Sequence, residues 1–418
     1  MIKVNKPKIR FKNFNDSWSL RKLSDTQTDF KDGNYGEAYP KETDLTSSTQ
    51  GVPFLRGSDL DNGKLTLTNA RYITQSKHNE LISGHLIEDD IVIAVRGSLG
   101  SLGYVGPDNE GWNINSQLAI IRTRKIELIG NYLIQFLLSN RGNKEISSHI
   151  TGTALKQLPI KQLKNIKVPI PKIEEQSAIG SLFRTLDDLL SSYKSNLASY
   201  QSLKATMLTK MFPKAGQIVP EIRLDGFKGE WKKSKLKDVA HRVQGNDGRM
   251  DLPTLTISAS GGWMNQIDRF SANIAGKEQK NYTLLKKGEL SYNHGNSKLA
   301  KYGVVFELQD YEEALVPKVY HSFRVNRLAD AKFIEIMFST KIPDRELGKL
   351  VSSGARMDGL LNISFDDFMN IAIIIPTIAE QQAIGAYFSN LDNLINSYQE
   401  KISQLEILKK KLLQEMFI

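Results

Sequence analysis

The sequence predicts a mixed α/β (α+β) protein built twice over. Two domains of twisted mixed sheet are expected, joined by two long antiparallel coiled-coil helices in a pseudo-twofold circular repeat. Three observations predict it. A segment of more than forty residues occurs twice without a gap: Pro376 lies 205 residues after Pro171, and Phe417 lies 205 after Phe212. Both copies carry a seven-residue apolar repeat, the pattern of a coiled coil. The regions between them hold short β-like runs separated by turn signals.

The repeat extends beyond the helices. IRFKNFNDSW, Ile9 to Trp18, returns as IRLDGFKGEW, Ile222 to Trp231, so each half reads as arm, variable region, proline-bounded strand and long helix. In the first variable region the strand candidates are Val52 to Leu55, Lys64 to Thr68, Ile91 to Val95 and Leu118 to Arg122, with a helix over Tyr132 to Leu138. In the second they are Thr254 to Ile257, Gly303 to Leu308 and Tyr320 to Val325, with a helix around Ala331 to Phe338. The expected division is 1–172 for the first arm and domain, 173–213 for the first helix, 214–377 for the second arm and domain, and 378–418 for the second helix.

In the first helix Ile179, Leu186 and Tyr193 recur every seven residues, with Phe183, Leu190 and Leu197 four residues after each. In the second, Ile384, Leu391 and Tyr398 alternate with Phe388, Ile395 and Ile402. Pro171 and Pro376 precede the helices, where a missing N–H does no harm. Each helix would run about 57 Å at about 1.5 Å per residue. Neither can bury its stripe alone, so the two are expected to pack on each other. The second helix lacks a following arm, and residues 1–23 are expected to supply it.

Composition narrows the function. The chain has 418 residues, a net charge of +10 and a pI near 9.3, which favours a polyanionic partner. It contains no cysteine, so disulfides and thiolate metal sites are excluded, and a cytoplasmic setting is the simplest expectation. No apolar run has membrane-span length, and the lysine-rich start lacks the apolar core of a secretory signal.

The two strand-to-helix junctions are NIKVPIPKIEEQSAIGSLFRTLD from Asn165 and NIAIIIPTIAEQQAIGAYFSNLD from Asn370. With their proline, Glu-Gln pair and Ile-Gly step (Pro171, Glu175, Gln176, Ile179, Gly180 and Pro376, Glu380, Gln381, Ile384, Gly385), they resemble those of the DNA-specificity subunits of type I restriction–modification systems. The segments from Glu88 to Val105 and from Lys286 to Lys298 are similar to stretches common in the target-recognition domains of that family. The resemblance covers essentially the full length. It implies a non-catalytic subunit that reads a bipartite site on double-stranded DNA, one half per domain, with the helices setting the spacing. It further implies two methyltransferase subunits and two restriction–translocase subunits as partners. S-adenosylmethionine, ATP and magnesium would belong to those partners, with no cofactor in this chain. Half-sites on one face of a duplex lie about 34–36 Å apart, within the span of such a rod.

Base readout needs Arg or Lys toward guanine and Asn or Gln toward adenine. The first-domain candidates are Arg96, Ser98, Thr151, Thr153, Lys156 and Gln157; the second-domain candidates are Asn293, His294, Asn296, Ser297, Lys298, Lys301, Tyr302 and Arg356. Each cluster is glycine-containing, so an ordinary polar turn is the competing reading. From Lys277 to Lys301 six lysines stand against two glutamates, which suits phosphate contact or a solvated face. The six histidines show no metal-ligand spacing, so no metal site is expected. Two alternatives remain open: a self-contained nuclease using Asp268, Glu278 and Lys280, and a coiled-coil scaffold that binds no nucleic acid.

Overall fold

The structure, a computed structural model, describes residues 7–270, 276–295, 298–351 and 360–417. The chain divides into two compact units, Met1–Lys194 with Glu400–Ile418, and Ser195–Gln399. Each long helix, Ile173–Lys210 and Ile378–Glu415, gives one half to each unit.

The first unit is built on a four-stranded antiparallel sheet in the order Asp29–Asp32, Leu118–Arg122, Ile91–Ala94, Leu102–Tyr104. Its central strands are apolar at every position but Arg122, because both faces are covered. Ile91, Ile93, Ala119 and Ile121 face a core shared with the helix Gly130–Leu138 and the long helices. Val92, Ala94, Leu118 and Ile120 face a second core with Leu55, Leu86 and Ile114. A smaller sheet beside it pairs Val52–Leu55 antiparallel with Arg71–Ile73 and parallel with Asn113–Ile114, so parallel and antiparallel pairing coexist in this domain. Of the expected strand Lys64 to Thr68, only Lys64–Leu65 is paired.

The second unit repeats the plan. Its four-stranded sheet runs Ala240–Arg242, His321–Val325, Leu290–Asn293, Val304–Glu307, again antiparallel. The helix Ala331–Ser339 takes the place of Gly130–Leu138 and is capped by Asp330, whose side chain accepts from the Phe333 N–H. In each unit a two-stranded ladder joins the arm to the junction: Ser19–Lys22 with Lys167–Ile170, and Lys232–Lys235 with Ala372–Ile375.

Within each unit the two helix halves run antiparallel. In the first, Phe183 stacks on Phe417 at 6.1 Å, while Asp187 meets Lys409 at 2.5 Å and Lys194 meets Glu406 at 2.6 Å. In the second, Tyr200 stacks on Tyr398 at 5.5 Å and Lys204 pairs with Asp392. The heptad residues Ile179, Phe183, Leu186, Leu190, Ile384, Phe388, Leu391, Ile395 and Ile402 are buried, and Tyr193, Leu197 and Tyr398 are half-buried. Leu189 and Leu203, beside that stripe, stay exposed.

The arm closes each unit in the same way. Ile222 N–H donates to Lys210 O at 2.9 Å, where arm and helix are continuous in sequence. Ile9 N–H donates to Glu415 O at 3.1 Å, where they are not. The circular arrangement read from the repeat is therefore made in space.

Candidate nucleic-acid interface

The junction motif explains how the domains are oriented. Glu175 is buried and accepts from Arg10 Nε and Nη2, at 2.6 and 2.7 Å, and from the Trp18 indole N–H at 3.0 Å. Glu380 receives Arg223 at 2.7 and 2.6 Å. Trp231, the counterpart of Trp18, has an indole N–H with no partner among the described residues. Gln176 Oε1 accepts from Ile129 N–H at 2.9 Å, and its Nε2 donates to Glu127 O and Pro171 O, both at 3.0 Å. Gln381 does the same with Asp330 N–H, Leu328 O and Pro376 O at 3.0, 3.1 and 3.0 Å. Each glutamine thus ties the start of a long helix to the loop that opens the domain helix. Gly180 lets the helices approach, since a Cβ there would lie 3.0 Å from Asn131 Nδ2.

On that frame two loops meet along one strand-end edge of each four-stranded sheet, beside the end of a central strand. In the first domain Val95 and Arg96 N–H both donate to Gln117 O, at 2.9 and 3.2 Å. Gly97, at φ +70°, allows the tight turn in which Leu99 N–H reaches Gly97 O at 2.8 Å. The pre-junction loop is closed by reciprocal bonds between Thr151 and Gln157, 2.9 Å each way, and docks through Leu158 N–H to Val95 O at 3.0 Å. The fold therefore brings Arg96 and Ser98 beside Thr151, Thr153, Lys156 and Gln157. All are exposed except Thr151, which is half-buried. The Arg96 guanidinium lies 5.4 Å from the Tyr35 ring centre, and the Tyr35 hydroxyl donates to Ser116 O at 3.1 Å. Burial pushes the Asp32 carboxyl above its ordinary value, although Arg96 pulls it down.

In the second domain the same docking bond recurs as Leu361 N–H to His294 O, 2.9 Å. Here the structure corrects part of the sequence expectation. His294 is buried, with Nδ1 2.8 Å from Leu361 O and Nε2 3.0 Å from Val319 O. Its ring joins loops together and does not face outward. Asn293 likewise holds the loop, donating to Ile257 O at 3.2 Å and accepting from Gly295 N–H at 3.1 Å. Tyr302 is half-buried against Gly348. Lys298 and Lys301 are exposed. Asn296, Ser297 and Arg356 lie outside the described residues.

Two lysines of the basic run are paired at the surface: Lys287 with Glu312 at 2.7 Å, and Lys286 with Glu313 at 3.8 Å. Of the nuclease-like set, Asp268 sits on the helix Gln266–Phe270, and Glu278 accepts from Asn281 at 2.7 Å. Among the described residues no group of three or more His, Asp or Glu side chains is placed to hold a metal ion. Tyr35 and Gln117 were missed in the sequence reading, because both reach Arg96 only through strand pairing across many residues.

A family model described as the type I restriction modification DNA specificity domain matches residues 17–198 and again 228–407. The chain belongs to this family. Similar curated proteins include two from Methanocaldococcus jannaschii. A putative type I restriction enzyme MjaX specificity subunit is 25% identical over 206 residues, covering 48% of this chain and 46% of that protein. The type I restriction enzyme MjaVIII specificity subunit is 22% identical over 282 residues, covering 64% and 65%. The matches thus span 46% and 65% of those relatives' own length, less than two-thirds of either. Among solved structures, the type I restriction–modification system S subunit from M. genitalium superposes over 99% of both chains with a TM-score of 0.59 at 15% identity, which shows a shared fold. The duplicated domain of the type I specificity family and the duplicated sheet edge are the same repeat, seen once in sequence and once in structure.

Proposed function

We propose that this chain is the DNA-specificity subunit of a type I restriction–modification complex. The observation that carries the reading is the sheet edge built twice, where a turn after a central strand docks against the pre-junction loop. Each edge reads one half of a bipartite duplex site, and the long helices set the separation of the halves. In the first domain Arg96, Ser98, Thr153, Lys156 and Gln157 face the DNA. In the second, Lys298 and Lys301 face it, while His294 and Asn293 hold their loop, and Asn296, Ser297 and Arg356 are further candidates for base contact. Family membership, the +10 charge and the exposed Arg96 over Tyr35 support this reading.

The chain performs no chemistry itself. Two methyltransferase subunits and two restriction–translocase subunits assemble on it in the cytoplasm, and S-adenosylmethionine, ATP and magnesium act in those partners. The test is to express the chain with its methyltransferase partner and map modified adenines across a genome. Modification confined to one two-part motif is expected. Modification without a shared two-part motif would refute the proposal.

A further inference from the structure

The two most exposed large apolar side chains among the described residues are Ile82, 91% exposed, and Leu155, 87% exposed. Both stand on loops bonded to the first domain's recognition edge. Leu155 is at the tip of the 151–157 turn, whose ends are fixed by the reciprocal Thr151–Gln157 bonds and by docking on Val95. Gly152 adopts φ +91°, and a Cβ there would lie 2.3 Å from Leu155 O, so the turn is held in one shape. Ile82 precedes Ser83, whose Oγ donates to Asp32 O at 2.5 Å and whose carbonyl accepts from Asn34 Nδ2 at 2.6 Å, next to the Tyr35 that carries Arg96. In the second unit the most exposed large apolar side chain among the described residues is Leu299, 63% exposed, on the turn between Leu290–Asn293 and Val304–Glu307, the counterpart of the Arg96 turn, beside exposed Lys298.

A single exposed leucine is ordinary on a protein surface. Here the extremes of both units fall on the edges that carry the polar candidates, at turn tips where water alone favours Gly, Asn, Asp or Ser. We infer that Leu155 is an apolar base contact, packing on the C5-methyl of a thymine in the major groove of the first half-site. The inference rests on the DNA-recognition reading above. Arg96, Thr153 and Gln157 around it carry the hydrogen-bonding groups that read major-groove edges, and the thymine methyl is the apolar group on that surface. Inserting the side chain between base pairs is the less favourable use, because unstacking a step costs at least as much as burying one leucine returns.

The experiment measures binding of the methyltransferase complex to a duplex carrying its mapped site, with each thymine of the first half-site replaced in turn by deoxyuridine. Only the methyl group is removed. With the unaltered complex, one replacement should weaken binding about fourfold, the worth of burying one methyl-sized group. With Leu155→Ala in the assembled complex, binding to the natural site should fall and the same replacement should have no effect. If the unaltered complex binds its site and no thymine methyl matters, or if Leu155→Ala remains sensitive to it, the inference is wrong while the recognition reading stands. A rise in 2-aminopurine fluorescence that depends on Leu155 would likewise overturn it in favour of insertion. Failure of Leu155→Ala to assemble with the methyltransferase would assign the side chain to a protein contact and overturn it too. If the unaltered complex has no preferred duplex, the broader reading fails.

Discussion

His321 shows how burial tunes one group beside the turn that follows a central strand. Burial holds its imidazole down to about 4, and nearby His294 and Arg242 push the same way, while donation of its Nε2–H to Ile363 O at 2.9 Å pulls it up. The folded chain therefore refuses a proton that the unfolded chain takes up below about pH 6.5. The stability this group contributes is fully present above pH 6.5 and is lost as pH falls toward 4, by up to about 3 kcal/mol. Urea unfolding at pH 7.5 and pH 5 should show a smaller gap for His321→Phe than for the natural chain; an equal gap would count against this assignment. The two arm tryptophans give a second comparison. Trp18 donates to the Glu175 carboxylate and Trp231 donates to no described group. Trp18→Phe should cost about 1.5–3 kcal/mol more than Trp231→Phe in equilibrium unfolding, the range for a hydrogen bond to a charged group.

The long helices were legible as elements because their period is local. Heptads at Ile179, Phe183 and Leu186, and the proline ahead of each helix, announced a 38-residue helix within a few residues of its ends. The arm strands were not legible: SLRK and KKSK carry no apolar alternation, and each pairs with a strand more than a hundred residues away. Gln176 was hidden for a related reason: of its three partners only Pro171 is a near neighbour in sequence, while Glu127 and Ile129 lie 49 and 47 residues away. At the end of the first four-stranded sheet, Arg96 was visible as an arginine opening a glycine turn. His294 misled because an Asn-His-Gly-Asn run looks the same whether its ring points out or in. Gln176→Leu should leave one half-buried N–H and two carbonyls without these partners and cost about 3 kcal/mol, read by thermal or denaturant unfolding. A loss below about 1 kcal/mol would mean that the tie is cosmetic.

Duplication of the sheet, helix and arm makes each domain a self-consistent unit, with its own cores and its own tie to a long helix. Replacing residues 237–370 with the corresponding region of another family member should change one half of the modified motif and leave the other intact, as read by methylation mapping. Simultaneous change of both halves would show that the domains do not read independently. A further consequence lies in the two arm contacts. Ile222 reaches Lys210 across a covalent bend, whereas Ile9 reaches Glu415 with no bond between the segments, yet the aromatic packing is alike: Phe212 lies 5.8 Å from Trp231 and 5.5 Å from Phe333, and Phe417 lies 5.8 Å from Tyr132. Fold and chain order are thus decoupled at these places. A circular permutant opened near Pro213 and sealed by a short linker from Phe417 to Pro7 should fold with unchanged circular dichroism and retain the same methylation motif. The peptide bond at 212–213 is then a matter of gene order, and the same architecture is open to chains cut and rejoined there.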